Sequence, residues 1–324
     1  MQRRHLLGTA AAVLVAPAIV RAQSKYPDRP VRLVIPFPPG GPTDIIGRMV
    51  AERLSAVLGQ QVIPDNKGGA AGAIGSVEVK NAKPDGYTLL FATSSTHAIN
   101  PTTMVRPSYD AVKDFAPASS ICVNPVVLIA HPSMPDTLKG LIALMKDNPG
   151  KYSYGSSGAG GIAHLAGELF KSMAGGLNVV HVPYRGSGPA LQDMLAGQTA
   201  WMMETVSTSL QLHRSGKLRI LGFGHANRAA IAPDIPTMIE AGVPGYEAYT
   251  FNLVVAPAGT PPDIVDTLSQ ATRKIMSDKT TIKALEDIAA IPMPDSTPAS
   301  TAKFIADEIA KWAPVIKATG VKIE

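Results

Sequence analysis

Short apolar runs in this chain end, one after another, in a loop of glycine, proline and serine that opens an amphipathic segment. Val31-Arg-Leu-Val-Ile35 is rich in β-branched residues and stops at Pro36-Phe-Pro-Pro-Gly-Gly-Pro42. Ile45, Ile46, Met49, Val50 and Leu54 then recur at helical spacing, with Thr43 placed to cap the helix. Tyr87–Ala92 runs straight into Ser94-Ser-Thr96, and Tyr152–Tyr154 into Gly155-Ser-Ser-Gly-Ala-Gly-Gly161. Val179–Val182 leads through Pro183–Gly188 to a helix ending near Leu195. Alternating strands and helices must cover the faces of a sheet with helices, so a parallel sheet flanked on both sides is expected. Two such sets, then a strand over Tyr249–Val255 and closing helices, predict an α/β fold of two lobes with a cleft between them. The crossings fall near residues 123–126 and 247–250. Lobe 1 is therefore discontinuous, 23–125 plus 249–324, and lobe 2 is 126–248.

Charge narrows the function classes. Charged residues make up 17% of 324, below the roughly 25% of ordinary soluble domains, and disorder is not expected. The formal net charge is +5, but Arg3, Arg4 and Arg21 lie in the first 22 residues, which hold no acid. Without those three, 27 bases face 25 acids, too even a balance for a phosphate-neutralising face, so no nucleic-acid partner is expected. Gln2-Arg-Arg-His5, the uncharged stretch Leu6–Val20 and Val20-Arg-Ala22 have the layout of a secretory signal, with cleavage after Ala22. The Arg3-Arg4 pair fits the twin-arginine route as well as the general one. No later apolar run reaches the roughly 18 residues that span a bilayer. Cys122 is the single cysteine; it reads as a buried strand residue, and the fold must stand without disulfides.

The loops at the strand ends carry the binding chemistry. Pro38-Pro-Gly-Gly-Pro-Thr43 offers backbone N–H groups at a helix start, where the helix dipole favours an anion. A branched side chain at Gly41 is expected to block that approach and to strain a positive φ. Gly155–Gly161 repeats the design with hydroxyls, and Ser94–Asn100 is a third polar loop. Together they predict a small-anion site. Enzyme signatures are weaker. Gly155-Ser-Ser-Gly-Ala159 lacks the last glycine of a nucleophile elbow, there is no phosphate-binding Walker run, and the histidines show no metal spacing. No metal and no cofactor are expected. His181, between Val180 and Val182, reads as a satisfied strand histidine. His97 and His164 are open to either ligand contact or packing, and Arg185 to either a carboxylate or the surface.

Tyr26-Pro-Asp-Arg-Pro-Val-Arg-Leu-Val-Ile-Pro-Phe-Pro-Pro-Gly-Gly-Pro-Thr-Asp44, Asn66-Lys-Gly-Gly-Ala-Ala-Gly72, Lys83-Pro-Asp-Gly-Tyr87, Asn100-Pro101, Tyr154-Gly-Ser-Ser-Gly158, Val182-Pro-Tyr-Arg-Gly186 and Ala256-Pro-Ala-Gly-Thr-Pro261 form one ordered set. The set resembles the Bug-type receptors, the periplasmic solute-binding proteins of tripartite tricarboxylate transporters. The resemblance covers almost the whole chain beyond the signal. It implies two α/β lobes closing over a carboxylated solute, one carboxylate being held by loop backbone and hydroxyls from both lobes. It also implies periplasmic location, transient docking on membrane-embedded transporter subunits and a monomer. Two positions depart from the family. Glu204 stands where an Asp often reads an amine or another distal group, and Phe251 where Trp is frequent. Glu204 is one carbon longer, and a salt bridge with an arginine is an alternative role for it.

The expected contacts are Phe37, Pro38, Pro39, Gly40, Gly41, Thr43 and Asp44 in the first loop, and Ser94, Ser95, His97 and Asn100 in the next. Ser156, Ser157, Gly158, His164, Tyr184, Arg185, Glu204 and Phe251 complete them. The function expected is that of a non-catalytic receptor for a mono- or dicarboxylate, aliphatic or aromatic. The alternative is an exported serine hydrolase using Ser156 or Ser157 with His164 and Glu204.

Overall fold

The computed structural model describes residues 26–322, and the expected signal segment 1–22 lies outside the described residues. The first half of the chain holds β1 (Val31–Ile35), α1 (Pro42–Leu58), β2 (Val62–Asn66), α2 (Ala73–Lys80), β3 (Thr88–Thr93), a π-helical turn at Ser95–Ile99, α3 (Asn100–Thr103) and β4 (Phe115–Ala130). There follow α4 (Leu138–Asp147), β5 (Ser153–Ser156), α5 (Ile162–Met173), β6 (Val180–Pro183), α6 (Ser187–Leu195), β7 (Trp201–Thr205), α7 (Val206–Arg214) and β8 (Arg219–Phe223). The chain closes with β9 (Tyr249–Pro257), α8 (Pro262–Met276), α9 (Lys279–Glu286), β10 (Ile291–Pro292) and α10 (Pro298–Thr319).

Helix α1 shows how local sequence sets these elements. Ile46, Val50 and Leu54 lie four residues apart on one stripe, and all three are fully buried. Pro42 takes the first helical position, where its missing N–H costs nothing. That moves the cap back to Gly41, and Thr43, expected as the cap, lies inside the helix. The helix stops at Gly59, whose left-handed φ of 71° closes the last turn.

The sheet runs in the order β2-β1-β3-β9-β4-β7-β5-β6, with β8 and β10 also paired to β4. It is mixed, which corrects the expectation of a parallel sheet. The pairs β1/β2, β1/β3, β5/β6 and β5/β7 are parallel. The pairs of β9 with β3 and β4, and of β4 with β7, β8 and β10, are antiparallel. A new strand was expected to begin near Val126; instead β4 is one continuous strand of 16 residues. Phe115–Pro125 pairs with β9, and Val126–Ala130 pairs with β7 and β8. Pro125 has no N–H to continue a ladder, and the change of partner falls just after it. The sheet therefore has two halves that share β4.

Packing ties the halves together. One apolar cluster includes Leu90, Phe251 and Leu253 of the first half and Tyr154, Phe170 and Trp201 of the second. Trp201 stacks on Tyr154 with ring centroids 4.4 Å apart. Helix α10 opens with a reciprocal Thr297–Ser300 capping box and buries Ile305, Trp312 and Ile316. It packs on the π-helical turn, on β4 and on α5.

Candidate functional site

The C-terminal ends of β1, β5 and β6 each feed a loop that opens a helix, and these helix starts converge with the end of β7 on one cavity. Its atom-free space is about 640 Å³, mouth included. From the first half come Phe37, Pro38, Pro39, the α1 start Gly41-Pro42-Thr43, and Ser95. From the second come Ser157, the α5 start Ile162-Ala163, the α6 start Ser187-Gly188-Pro189, and Met203-Glu204-Thr205 at the end of β7. Thr93, Val126 and Thr250 complete the wall.

Among the described residues neither lysine nor arginine lines this space, and Glu204 is the one ionisable residue that does. What positive character the wall has is that of helix ends. None of α1, α5 and α6 is capped by a side chain at its own N-cap position, because each cap residue is glycine (Gly41, Gly161, Gly186). The first N–H groups of a helix have no intrahelical partner, and they sit at the positive end of its dipole. Three such starts around one space offer backbone donors of the kind that suit an anion.

The two halves touch around the cavity. Ile162 N–H donates to Ser95 Oγ at 3.0 Å, so a hydroxyl of one half caps a helix of the other. A Cβ placed on Gly186 would lie 3.0 Å from Pro38 Cγ. Gly186 has a φ of 126°, and Gly40 one of 81°. Gly41, where a positive φ was expected, is extended at φ −83°. The left-handed residue of the first loop is thus its neighbour.

Several expected contacts do not line the cavity, each for a visible reason. Asp44 is held by Arg48 at 2.9 Å, by Asn66 and by the Gly40 N–H. Burial pushes its pKa up, but these partners outweigh it and hold the carboxyl below its ordinary value. Ser94 donates to Thr250 Oγ1. Asn100 donates to Ala71 O and to Tyr109 Oη, which pins the Asn66–Gly72 loop. His97 is fully buried against Phe115, its pKa lowered by burial to about 3. Phe251 packs edge-on against Phe304 in the core. Gly158, Tyr184 and the exposed Arg185 line an adjoining recess beside Pro38 and Ser157. Among the described residues Arg185 makes no ion pair. The cavity residues missed from sequence are chiefly Ser187–Pro189, Thr205 and Thr250. The α6 start had the same glycine-before-helix signal as the two loops that were chosen.

The hydrolase constellation does not assemble. Ser156 is fully buried and its Oγ meets His181 Nε2 at 2.7 Å, not His164. His164 Nδ1 accepts from the Gly160 N–H at 2.9 Å, and its ring stacks on His181 at 3.8 Å. Burial lowers the pKa of His164 to about 4 and of His181 to about 3. Glu204 Oε1 accepts from the Thr205 N–H at 2.7 Å. No ion pair to Glu204 exists among the described residues, so the arginine salt bridge considered for it is not made. Ser157, the one of the two that lines the cavity, has no histidine hydrogen-bonded to it among the described residues.

A family model described as the tripartite tricarboxylate transporter family receptor matches residues 46–321. Protein BugT of Bordetella pertussis is 37% identical over 317 residues, covering 97% of this chain and 96% of that protein. The structure of Rpa4515 of R. palustris with adipate is 35% identical, with a TM-score of 0.88 over 92% of this chain and 99% of that one. MatC (Rpa3494) of Rhodopseudomonas palustris with bound malate is 29% identical, with a TM-score of 0.85 over 90% and 100% of the two chains.

Proposed function

Because the chain belongs to the tripartite tricarboxylate transporter receptor family, we propose that the helix starts around its cavity capture one carboxylate of a dicarboxylic solute. The protein is a periplasmic carboxylate-binding receptor of that transport system and not an enzyme. One observation carries the finer reading: the glycine-led starts of α1, α5 and α6, drawn from both halves of the sheet, line one space that, among the described residues, contains no basic side chain. The adipate and malate of the two similar structures are both dicarboxylates, which favours that class of solute here.

The halves act as lobes, 23–125 plus 249–324 and 126–248, that close over the solute as a monomer. The loaded receptor docks transiently on membrane-embedded transporter subunits. Residues 1–22 direct export and are removed, by the general or the twin-arginine route. Replacing Arg3 and Arg4 together by lysine blocks export only on the twin-arginine route. A thermal-shift screen of mono- and dicarboxylates tests the solute class, since a ligand of the folded state raises the melting temperature by mass action. A rise with dicarboxylates supports the reading. No rise with any carboxylate defeats it.

A further inference from the structure

Glu204 is at odds with an anion site built from helix ends. It is 4% exposed, it lines the cavity, and no cation among the described residues pairs with it. Its Oε1 accepts from the Thr205 N–H and hydroxyl at 2.7 and 3.2 Å. Its Oε2 is buried with no protein partner. A bare carboxylate in that position, next to an incoming carboxylate, would be desolvated and repelled at once.

We propose that Glu204 enters the complex as a neutral carboxylic acid whose Oε2 hydroxyl donates to a second carboxylate of the solute. Glu204 then sets specificity by carrying the proton that lets two acidic groups meet. The inference rests on the carboxylate-receptor reading and adds the identity of the distal donor. An O–H···O⁻ bond of this kind is among the stronger hydrogen bonds. The α1, α5 and α6 starts hold one end of the solute while the acid holds the other.

The surroundings of Glu204 agree. Burial raises its pKa, against weaker opposition from the Thr205 N–H and the nearby hydroxyls of Ser187, Thr205 and Thr208. The close partner of its carboxyl is Thr205, and the Thr208 hydroxyl donates to Thr205 O. The charged groups on the elements packed against β7 are engaged elsewhere. On α5, Glu168 binds Lys171 at 2.8 Å and Tyr154 Oη at 2.6 Å, and His164 takes the Gly160 N–H. On α6, Asp193 accepts from Tyr184 Oη. On α7, Arg214 donates to Ile231 O, and His213 accepts from the Ile220 N–H. Across the cavity Asp44 is held by Arg48. On β4, Cys122 is buried, with its thiol pKa pushed up to about 12.

The test is calorimetric titration with dicarboxylates from malonate to adipate and their monocarboxylate counterparts, on wild type, Glu204→Gln and Glu204→Leu. Infrared difference spectra between wild type and Glu204→Gln, each saturated with the tightest dicarboxylate, accompany it. The amide of Glu204→Gln keeps a neutral donor, so it should hold dicarboxylate affinity to within about threefold, whereas Glu204→Leu should lose about tenfold. Monocarboxylates should bind all three forms alike. The difference spectrum should carry the C=O stretch of a protonated acid at neutral pH, and wild-type affinity for dicarboxylates should not rise with pH. A tenfold loss in Glu204→Gln, a missing acid band, or preference for monocarboxylates or for a cationic solute overturns the proposal and leaves the carboxylate receptor standing. Failure of every carboxylate to bind wild type removes the receptor reading itself.

Discussion

At residue scale the protein keeps three histidines neutral by burial. His97, His164 and His181 have pKa values lowered to about 3, 4 and 3 from 6.5. In the unfolded chain each takes a proton near pH 6.5, so the stability they contribute is whole above that pH and is lost as pH falls. Glu204, raised above 4.5, works the other way, because the folded state holds a proton that the unfolded state releases. Three sites against one still leave a net loss toward acid, with each histidine adding at most about 1.4 kcal/mol per pH unit. The melting temperature should therefore fall steadily from about pH 7 to pH 5, and His97→Gln should flatten the slope. A melting temperature that does not change over that range contradicts the burial of these rings. The sequence named His181 as a satisfied strand residue, because Val180 and Val182 flank it. It left His97 and His164 undecided. Their surroundings come from the fold: Phe115 lies against His97, and the ring of His181 against His164.

At the scale of elements, helix starts do the binding and glycine decides how near they come. The sequence displayed this logic at Pro38–Thr43 and Ser156–Gly158, because glycine before an amphipathic run is a local signal. It did not display that Ser95 would cap α5 from the other half, since residues 67 positions apart must first meet. Ser95→Ala removes the acceptor of the buried Ile162 N–H. It should weaken dicarboxylate binding about fivefold, the scale of one net hydrogen bond, and act mainly on the dissociation rate. An unchanged dissociation rate in stopped-flow would deny that contact a part in closure. Gly186→Ala puts a side chain at positive φ and against Pro38, whereas Gly176→Ala, at φ 78° with open space, only strains the backbone. Both should lose about 1–2 kcal/mol of stability in denaturant titration. Only Gly186→Ala should also lose affinity, and equal affinity in the two variants would mean that the Pro38 contact is not part of the bound state.

For the whole molecule, the strand β4 is the organising feature. It carries Phe115–Pro125 in one half of the sheet and Val126–Ala130 in the other, so a small bend along it would move every helix start of one half against those of the other. The alternation of strands and loops made the α/β class legible. The antiparallel return of β9 was not legible, because the direction of a strand is set by the connection that delivers it and leaves no trace in its composition. If the halves close on the solute, small-angle scattering should show a smaller radius of gyration with a dicarboxylate than without, and equal radii would argue against closure. Binding of the proposed kind requires one geometry, a single carboxylate taking donors from both halves. The crystal structure of the complex with the tightest-binding dicarboxylate measures it directly. One carboxylate should lie within hydrogen-bond distance of the backbone N–H of Thr43 and of that of Ala163 or Gly188. A carboxylate held wholly by one half, or seated in the recess beside Arg185, would contradict it.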